Sequence, residues 1–474
     1  MVAADFNESK RPMSLPAQPR ADARGPDNRG STRRQWHWFY LVLGIYLVAM
    51  SACASWRTES NYISDFKDFW TSATELARTG WVPYELVVQN YFPAFRVMTM
   101  PLALVSLPMA ALLFTLLSGG LLAVGIGRLA RTTAARKAAP WAVILALTFP
   151  YLHDTLAIGQ TSLVVLFFIM VMWECLERRD ERRAGLALCV ATVLKIVPGI
   201  LIVWLLVRGR RLAAVWGLAT TALLVLALPT LTLGWRETVR AHQEFARVAL
   251  VEHSVVGVLS ADAPPRARFS NAALPIVLRR VLTPTDIDPV PGRPPRYVNV
   301  ATVGLGVLVT LWIVISVSLL TVSIRSTRRS VRDGAGEMGT LRATADLGVW
   351  CCLLLLLSPV VSTHYLVLMV IPLVPSVLLC VAPSSAGSTR SARLAARAGL
   401  AWWVLGLIAL LFPTARAMGA SWFAVAGLWA ANLAIARHAT EGADRLATAR
   451  DGQDGLDCRR RGLSRDIGRG MTVT

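Results

Sequence analysis

The chain alternates between long apolar runs and short clusters of charged residues. The apolar runs are about 15 to 24 residues long, which as helices matches the roughly 30 Å hydrocarbon core of a bilayer. This pattern predicts an all-α, polytopic membrane bundle. About ten spans are expected, at residues 36–55, 108–127, 138–152, 158–176, 212–233, 299–323, 343–358, 365–382, 400–412 and 419–436.

One further apolar run, residues 184–207, has arginines at both ends and holds Lys195 and Pro198 near its middle. A single straight span would place the two basic ends on opposite sides of the membrane. A re-entrant hairpin, broken between Lys195 and Pro198, keeps them on the same side. Because broken backbone is tolerated at membrane depth where it is buried or lines a wet cavity, we expect a hairpin here.

The arginine clusters also set the expected orientation, because positively charged loops stay in the cytoplasm. The first outer loop is then 56–93, and a large outer segment spans 234–298 with a short helix at 272–282. The expected parts are a disordered cytoplasmic tail (1–35), a membrane domain (36–436) and a second basic cytoplasmic tail (437–474). A multi-pass protein of the cell membrane is predicted, with both termini in the cytoplasm.

Composition narrows the classes of function. Only 16% of the residues are charged, against roughly 25% in soluble domains. The net charge of +20 is concentrated in arginine clusters beside apolar runs, so it indicates orientation in the membrane, and no nucleic-acid partner is expected. The sequence has no Walker, GxGxxG or HExxH motif and no Cys/His metal spacing, so neither a cofactor nor a metal site is predicted.

Two carboxylates stand out in the first outer loop. Asp65 and Asp68 are three residues apart and lie among aromatic residues, so on a helix they share a face. A carboxylate beside aromatic rings can act as a general base for a hydroxyl group. The alternative is that Asp65 caps a helix at Phe66–Thr79 and that Asp68 is an ordinary first-turn acid.

Other polar residues fall at the predicted outer ends of spans or inside apolar runs, where such groups are costly. Gln160 either binds substrate or makes an interhelical hydrogen bond. Lys195 either binds a lipid phosphate or extends toward the membrane surface or a buried acid. His364 is either catalytic or structural. The predicted outer segment also contains Asn271, Arg279 and Arg280. The two arginines either clamp a phosphate or anchor the chain at the membrane interface.

Several short motifs follow one another in a recognisable order. They are Asp65-Phe66, Ala73, Gly80, Tyr84, Phe92-Pro93, Pro101-Leu102, Gly159-Gln160, Ala184-Gly185-Leu186, Lys195, Pro198, Ser270-Asn271, Leu278-Arg279, Ser358-Pro359 and His364. This order resembles glycosyltransferase family 87 over roughly residues 40–380. The chain departs from the family's usual pattern at Asp68-Phe69, Phe92-Pro93-Ala94 and Ala272-Ala273.

The resemblance implies a membrane fold of GT-C type and transfer of a hexose with inversion. Because the family includes mannosyltransferases, mannose is the expected sugar. The donor would be a polyprenyl-phosphate sugar, and the acceptor a glycolipid or glycan on the outer face. The catalytic role falls on Asp65, with His364 near the reacting groups. The candidate substrate-binding residues are Asp68, Gln160, Lys195, Asn271, Arg279 and Arg280. A lipid-phosphate leaving group implies no metal.

Two other functions use the same features. A transporter or flippase of lipid-linked sugars would also need outer acids and a buried lysine, and a structural membrane subunit would need only the bundle. The sequence contains no internal repeat, which disfavours an inverted-repeat transporter. The polar cluster disfavours a purely structural role.

Overall fold

The computed structural model describes residues 27–57, 64–80, 91–133, 135–252, 254–260, 271–287, 293–332, 337–381 and 389–438. All regular secondary structure in these ranges is helical, as predicted. The helices are α1 Asp27–Trp56, α2 Ser64–Thr79, α3 Pro93–Thr99, α4 Leu107–Thr132, α5 Ala138–Ile158, α6 Ser162–Glu177, α7 Glu181–Leu194, α8 Ile200–Val207, α9 Arg211–Leu233, α10 Trp235–Phe245, α11 Val255–Leu259, α12 Leu274–Leu282, α13 Leu305–Arg332, α14 Glu337–Leu356, α15 Val370–Val381, α16 Arg390–Ala409, α17 Pro413–Ala417 and α18 420–438. Tighter 3-10 turns occupy Met100–Leu104, Val197–Gly199 and Thr363–Met369, and a π-helix occupies Ala246–Glu252.

Seven helices in the described part of the chain are long and apolar enough to cross a membrane. Those on the rim expose large apolar side chains, as on α9 and α13, which suits contact with lipid rather than water. The segment Thr363–Val381 is instead 83% buried and forms the centre of the bundle. The seven segments are Ser31–Trp56, Leu107–Thr132, Ala138–Ile158, Arg211–Leu233, Leu305–Ser330, Thr363–Val381 and Arg390–Ala409.

The expected number of about ten spans stays a prediction. Three of the predicted spans correspond to α6, α14 and α18, which are not among the seven segments long and apolar enough. α6 has only 16 residues, and α14 begins with a polar stretch. Length and hydropathy alone therefore do not decide whether these helices cross the bilayer or are buried among helices that do.

The predicted break at Lys195 is present. α7 ends at Leu194, Lys195 has extended backbone, and a 3-10 turn at Val197–Gly199 leads into α8. Pro198 lacks a backbone N–H, and its ring would clash in a continuous helix with the carbonyl of Leu194, the residue at which α7 ends, which accounts for the interruption. At the far end, Arg210 pairs with Glu181 at 3.2 Å, so the two ends of this segment lie together. Its re-entry relative to a membrane stays a prediction.

The bundle is organised around α4, α6, α7 and α9, which pack in that order, with α1 on the outer side of α4. α7 and α9 approach closely at Gly185, where an added Cβ would lie 2.6 Å from the backbone oxygen of Ala213. A second set, α14, α15 and α16, packs beside α5. α5 therefore lies between the two sets, and its C-terminal end contacts the turn Thr363–Met369.

Several helix boundaries differ from the predicted ones. α1 begins at Asp27, before the predicted start of the first span at residue 36, and the disordered tail expected at 1–35 stays a prediction. α13 continues to Arg332 through the arginine cluster predicted to be a loop. Arginine is a good helix former, and the end of an apolar run does not itself end a helix. The outer segment contains α10 and α11 besides α12, which matches the helix expected at 272–282.

Candidate active site

Asp65 lies in the first turn of α2, the helix predicted from the first outer loop. Phe66 and Phe69 are buried on the side of α2 that faces the bundle, and the Phe66 ring stacks on Phe114 of α4 at 4.8 Å between centroids. Asp65 is only partly buried, and its Oδ1 accepts a hydrogen bond of 3.2 Å from the Ser64 hydroxyl. An acid in this position is also stabilised by the helix dipole.

The junction between α5 and α6 brings Gln160 to Asp65. Gly159 ends α5 in the left-handed conformation, at φ +71° and ψ 42°, which glycine adopts without a Cβ penalty. A Cβ at Gly159 would collide with the Cβ of Phe66. The glycine therefore permits α2 and α5 to come into contact. This contact explains why a glycine precedes Gln160 in the motif. Gln160 Nε2 donates a hydrogen bond to Asp65 Oδ2.

The orientation of the Gln160 amide is fixed from the other side. Its Oε1 accepts hydrogen bonds from the Tyr91 hydroxyl at 3.0 Å and from the Thr161 backbone N–H at 3.2 Å. Two donors on Oε1 identify it as the oxygen and turn the NH₂ group toward Asp65. Burial raises the pKa of Tyr91 well above its usual value, so the hydroxyl stays protonated and remains a donor.

Lys195 reaches the same place from the break after α7. The side chain is buried, and its Nζ donates to the Ser162 hydroxyl at 2.9 Å and lies 3.6 Å from the centroid of the Tyr365 ring. Nζ is also close enough to Asp65 for the two charges to attract each other. The extended backbone at Lys195 thus delivers a cation into the bundle beside the carboxylate.

His364 completes the cluster. The turn that carries it is held by α5, because the Thr155 hydroxyl donates to the His364 carbonyl at 3.1 Å and the Thr363 hydroxyl donates to Asp154 at 2.6 Å. The imidazole stacks on Tyr365 and is buried, and it interacts electrostatically with Lys195. Its Nε2 has no hydrogen-bond partner. A buried ring nitrogen without a partner is a position where a bound molecule would be recognised.

Asn271, Arg279 and Arg280 form a neighbouring support rather than part of this contact network. Asn271 Oδ1 accepts from the backbone N–H groups of Ala273 and Val361, at 3.0 and 3.2 Å. Arg280 donates to the Asn271 carbonyl at 2.8 Å, and Arg279 donates to the Val258 carbonyl at 3.1 Å. These bonds fix α12 against the chain that leads to His364. Direct substrate contact by the three residues stays a prediction.

Asp68 lies one turn after Asp65 on the exposed surface of α2. Partial desolvation of its carboxyl group, and next the negative charge of Asp65, raise the pKa of Asp68. The two acids are therefore electrostatically coupled but differ in surroundings, since the described hydrogen bond from Gln160 reaches Asp65. The predicted substrate-binding role of Asp68 is not tested by this geometry.

Sequence reasoning missed three residues of the site. Tyr91 contacts Gln160, and Ser162 and Tyr365 contact Lys195. Tyr91 and Tyr365 adjoin Phe92-Pro93 and His364, so their positions beside conspicuous motifs were the available signal. The motif residues Tyr84 and Ser270 lie outside the described residues.

The described residues contain no group of three or more His, Cys, Asp or Glu side chains that could hold a metal ion. The donor set around Asp65 consists instead of one carboxylate, an amide, an amine and a single imidazole. Reaction without a metal stays a prediction.

The fold and this cluster define a multi-pass helical membrane protein with a partly buried carboxylate, a buried lysine and a buried imidazole at one end of its bundle. The family model of glycosyltransferase family 87 matches residues 90–285. This match confirms the resemblance predicted from the motif order, supports membership of that family and indicates a glycosyltransferase. It includes Gln160 and Lys195, and Asp65 and His364 lie outside it. No curated protein and no solved structure gives a significant match to the chain.

Proposed function

We propose that the protein transfers a hexose, in the simplest case mannose, from a polyprenyl-phosphate donor to a hydroxyl group of a glycolipid or glycan. The transfer takes place at the outer face of the cell membrane. The observation that carries the proposal is the convergence of Asp65, Gln160, Lys195 and His364 from separate parts of the sequence.

In the proposed reaction, Asp65 removes the proton from the acceptor hydroxyl. The acceptor oxygen forms a bond to the anomeric carbon as the bond from that carbon to the phosphate oxygen breaks. Attack opposite the leaving group inverts the anomeric configuration. The electron pair of the broken bond leaves on the polyprenyl phosphate, and the proton stays on Asp65 until the glycosylated product departs.

Lys195 stabilises the leaving phosphate. The negative charge on this group increases as the glycosidic bond breaks, and a fixed cation in a water-poor site acts most strongly on charge that develops in the transition state. Ser162 and the Tyr365 ring hold the ammonium in place without neutralising it. His364 Nε2 is free to bind a sugar hydroxyl or a phosphate oxygen.

The position of Asp65 follows from the proposed orientation. α2 is the next helix after α1, and the arginine clusters favour a cytoplasmic location for the N-terminal end of α1. A cysteine reporter at Thr79, an exposed residue at the end of α2, tests this orientation. Modification by an impermeant reagent added to the outside of intact cells is expected. Labelling restricted to inverted vesicles would refute the outer-face assignment.

The central experiment uses the full chain in membranes supplied with radiolabelled polyprenyl-phosphate mannose and a membrane lipid extract as the acceptor source. Asp65→Asn is expected to lower the transfer rate by about 10³-fold, within the range for loss of a general base. Glu75→Gln is the matched control, because Glu75 is an acid of the same helix that pairs with Arg78 at the surface, and it is expected to change the rate less than about threefold. Full activity in Asp65→Asn, with the protein folded and at equal abundance, would refute the assigned base.

The same preparation distinguishes the transporter. A flippase would move the labelled donor across the bilayer without forming a product, whether or not Asp65→Asn changes the rate of movement. A transferase forms a product in which the sugar has left the acid-labile phosphate linkage. Flipping without product would therefore replace the proposed function with transport of a lipid-linked sugar.

A further inference from the structure

The end of the bundle opposite Asp65 carries a second feature, formed by α1, α4 and the link to α5. A pocket of about 570 Å³ opens there, lined by Trp36, Tyr40, Gly127, Ala130, Arg131 and Arg136. α5 starts beside this pocket and ends beside Gln160, and its 21 residues span about 30 Å at 1.5 Å per residue. The pocket is therefore separated from the sugar-transfer site by roughly the thickness of the hydrocarbon core.

The charged side chains that line this pocket are all positive. Arg131 and Arg136 are exposed, and none of the ion pairs among the described residues involves them. Arg128, one turn earlier on α4, is different because it pairs with Glu174 at 2.7 Å. Since no acidic side chain lines the pocket, an anion is the ligand that it fits.

Aromatic side chains form the wall of the pocket. Trp36 Nε1 donates a hydrogen bond of 2.9 Å to the Arg136 carbonyl, which ties the link before α5 to α1. The Trp36 and Tyr40 rings stack at 5.4 Å, and the Tyr40 hydroxyl interacts electrostatically with Arg131. Tryptophan and tyrosine are enriched at the level of lipid headgroups, where one edge of the ring is wet and the face is apolar. The pocket thus lies at headgroup depth.

An apolar groove of about 750 Å³ lies between α1 and α5, and its residues Gln35, Phe39 and Ala138 are one or two positions along the chain from the pocket residues Trp36, Tyr40 and Arg136. On α1 it runs from Gln35 to Tyr46, where the Tyr46 hydroxyl meets His153 at 3.2 Å. Eleven helical steps correspond to about 16 Å, close to half of the roughly 30 Å hydrocarbon core. The groove therefore has the length of one acyl chain in one leaflet, and it starts at the same end as the two arginines.

We propose that this end of the bundle binds one phospholipid with a net negative headgroup, its phosphate between Arg131 and Arg136 and one acyl chain in the groove between α1 and α5. The site is independent of sugar transfer. Charge selects the headgroup, and the length of the groove selects a lipid of the leaflet on that side rather than a soluble phosphate.

The test is native mass spectrometry of the purified full chain titrated with phosphatidylglycerol or with phosphatidylcholine of the same acyl chains. The double variant Arg131→Gln/Arg136→Gln is expected to bind phosphatidylglycerol about tenfold more weakly, since each basic residue near a membrane surface contributes to anionic lipid binding. Binding of phosphatidylcholine should not change. The matched control is Arg325→Gln/Arg328→Gln, which removes two exposed arginines from α13 and is expected to leave phosphatidylglycerol binding within about twofold.

Two further arms test the identity of the ligand. Ala142→Phe fills the groove and is expected to weaken phosphatidylglycerol binding while both arginines remain. Glycerol 3-phosphate carries the phosphate without acyl chains and is expected not to displace the lipid. Equal losses in the two arginine pairs, equal affinity for the two lipids, or displacement by glycerol 3-phosphate would each overturn the proposal.

Discussion

Two carboxylates in this protein lie in polar clusters of opposite character. Asp65 is partly buried, and its described hydrogen bonds come from Ser64 and Gln160. Asp346 on α14 is fully buried, and both of its oxygens are occupied, by the Thr327 hydroxyl at 2.6 Å and by Trp204 Nε1 at 2.9 Å. One carboxylate retains access to a ligand, and the other is closed to it.

The surroundings of Asp346 explain its role. Arg208 lies over the Trp204 ring, 5.2 Å from its centroid, and attracts the carboxylate electrostatically. Trp350 donates to the Thr327 hydroxyl at 2.9 Å, which extends the network to a second position on α14. Because these bonds connect α8 with α13 and α14, Asp346 anchors the segment that carries Lys195 at its turn. A buried acid in a membrane bundle is thus not by itself evidence of a catalytic site.

The first prediction tests whether Asp346 has a structural role that Asp65 lacks. Asp346→Ala leaves the Trp204 and Thr327 donors buried without this acceptor and leaves Arg208 with Glu177 but without Asp346 as an opposite charge. It is expected to lower the free energy of unfolding by about 3 kcal/mol. Chemical unfolding in detergent measures the change. Asp65→Asn is the control and should lower it by less than about 1 kcal/mol, since surface and half-exposed positions contribute little. Equal losses would remove the distinction between the two carboxylates.

The second prediction concerns the cation beside Asp65. Lys195→Met keeps the length of the side chain and removes its charge, so the rate of sugar transfer is expected to fall by about 10²-fold, as for loss of one preorganised transition-state donor. Lys67→Met makes the same chemical change at an exposed residue of α2 and should leave the rate within about twofold. A loss confined to KM would show that Lys195 binds the donor without stabilising the leaving phosphate.

The sequence predicted more of the helices than of their arrangement. The apolar runs indicated the membrane helices because few other structures contain 15 to 24 consecutive apolar residues. The break at Lys195 was also predictable, because Lys195 and Pro198 lie together in the middle of an apolar run, and proline inside a helix removes a backbone hydrogen bond. The start of α1 and the end of α13 were wrong because arginine-rich turns extend a helix as readily as they end one.

In the candidate active site, the sequence pattern predicted individual polar residues but not the contacts between them. Asp65, Lys195 and His364 were found as polar groups in apolar surroundings, and the structure brings them together. The contacts of Tyr91 with Gln160, and of Asn271 with Val361, join residues far apart in the sequence. Such contacts produce no periodic pattern in the sequence from which they could be predicted. Asn271 was interpreted as a substrate residue from motif order, whereas its side-chain oxygen holds two backbone N–H groups.

The third prediction tests the approach of α2 to α5. Gly159→Ala adds a Cβ that meets Phe66 and strains a backbone with φ +71°. The displacement of Gln160 from Asp65 is expected to lower the transfer rate by about 30-fold, because small misplacements of positioning groups are costly. Gly209→Ala is a matched control, since Gly209 has φ +76° but open space around its Cβ position.

The two glycine variants share the cost of a left-handed residue with a side chain, about 1–2 kcal/mol. Gly159→Ala should lower stability further than Gly209→Ala, by the cost of the collision with Phe66, and Gly159→Ala alone should lower the transfer rate. Similar rates for both variants would show that the contact between Gly159 and Phe66 does not position Gln160.

The fourth prediction has the smallest expected effect and examines how Asp65 is held. Tyr91→Phe removes one of the two donors to Gln160 Oε1, while the Thr161 N–H remains. Since one neutral hydrogen bond contributes about 0.5–1.5 kcal/mol, the transfer rate is expected to fall by about three- to tenfold. Tyr151→Phe is the control, because Tyr151 is also buried and its hydroxyl bonds to Ser421 instead.

A double-mutant cycle decides whether Tyr91 acts through Gln160. Gln160→Leu removes the amide that Tyr91 orients, so in that background Tyr91→Phe should have no further effect on the rate. Tyr151→Phe should have the same small effect in both backgrounds. Additive losses from Tyr91→Phe and Gln160→Leu would mean that the two side chains act separately, and that Asp65 is held by Gln160 without help from Tyr91. Non-additive losses would show that Tyr91 orients Gln160 and that Gln160 in turn holds Asp65, which stays accessible. At Asp346, by contrast, the hydrogen-bond donors block access to the carboxylate.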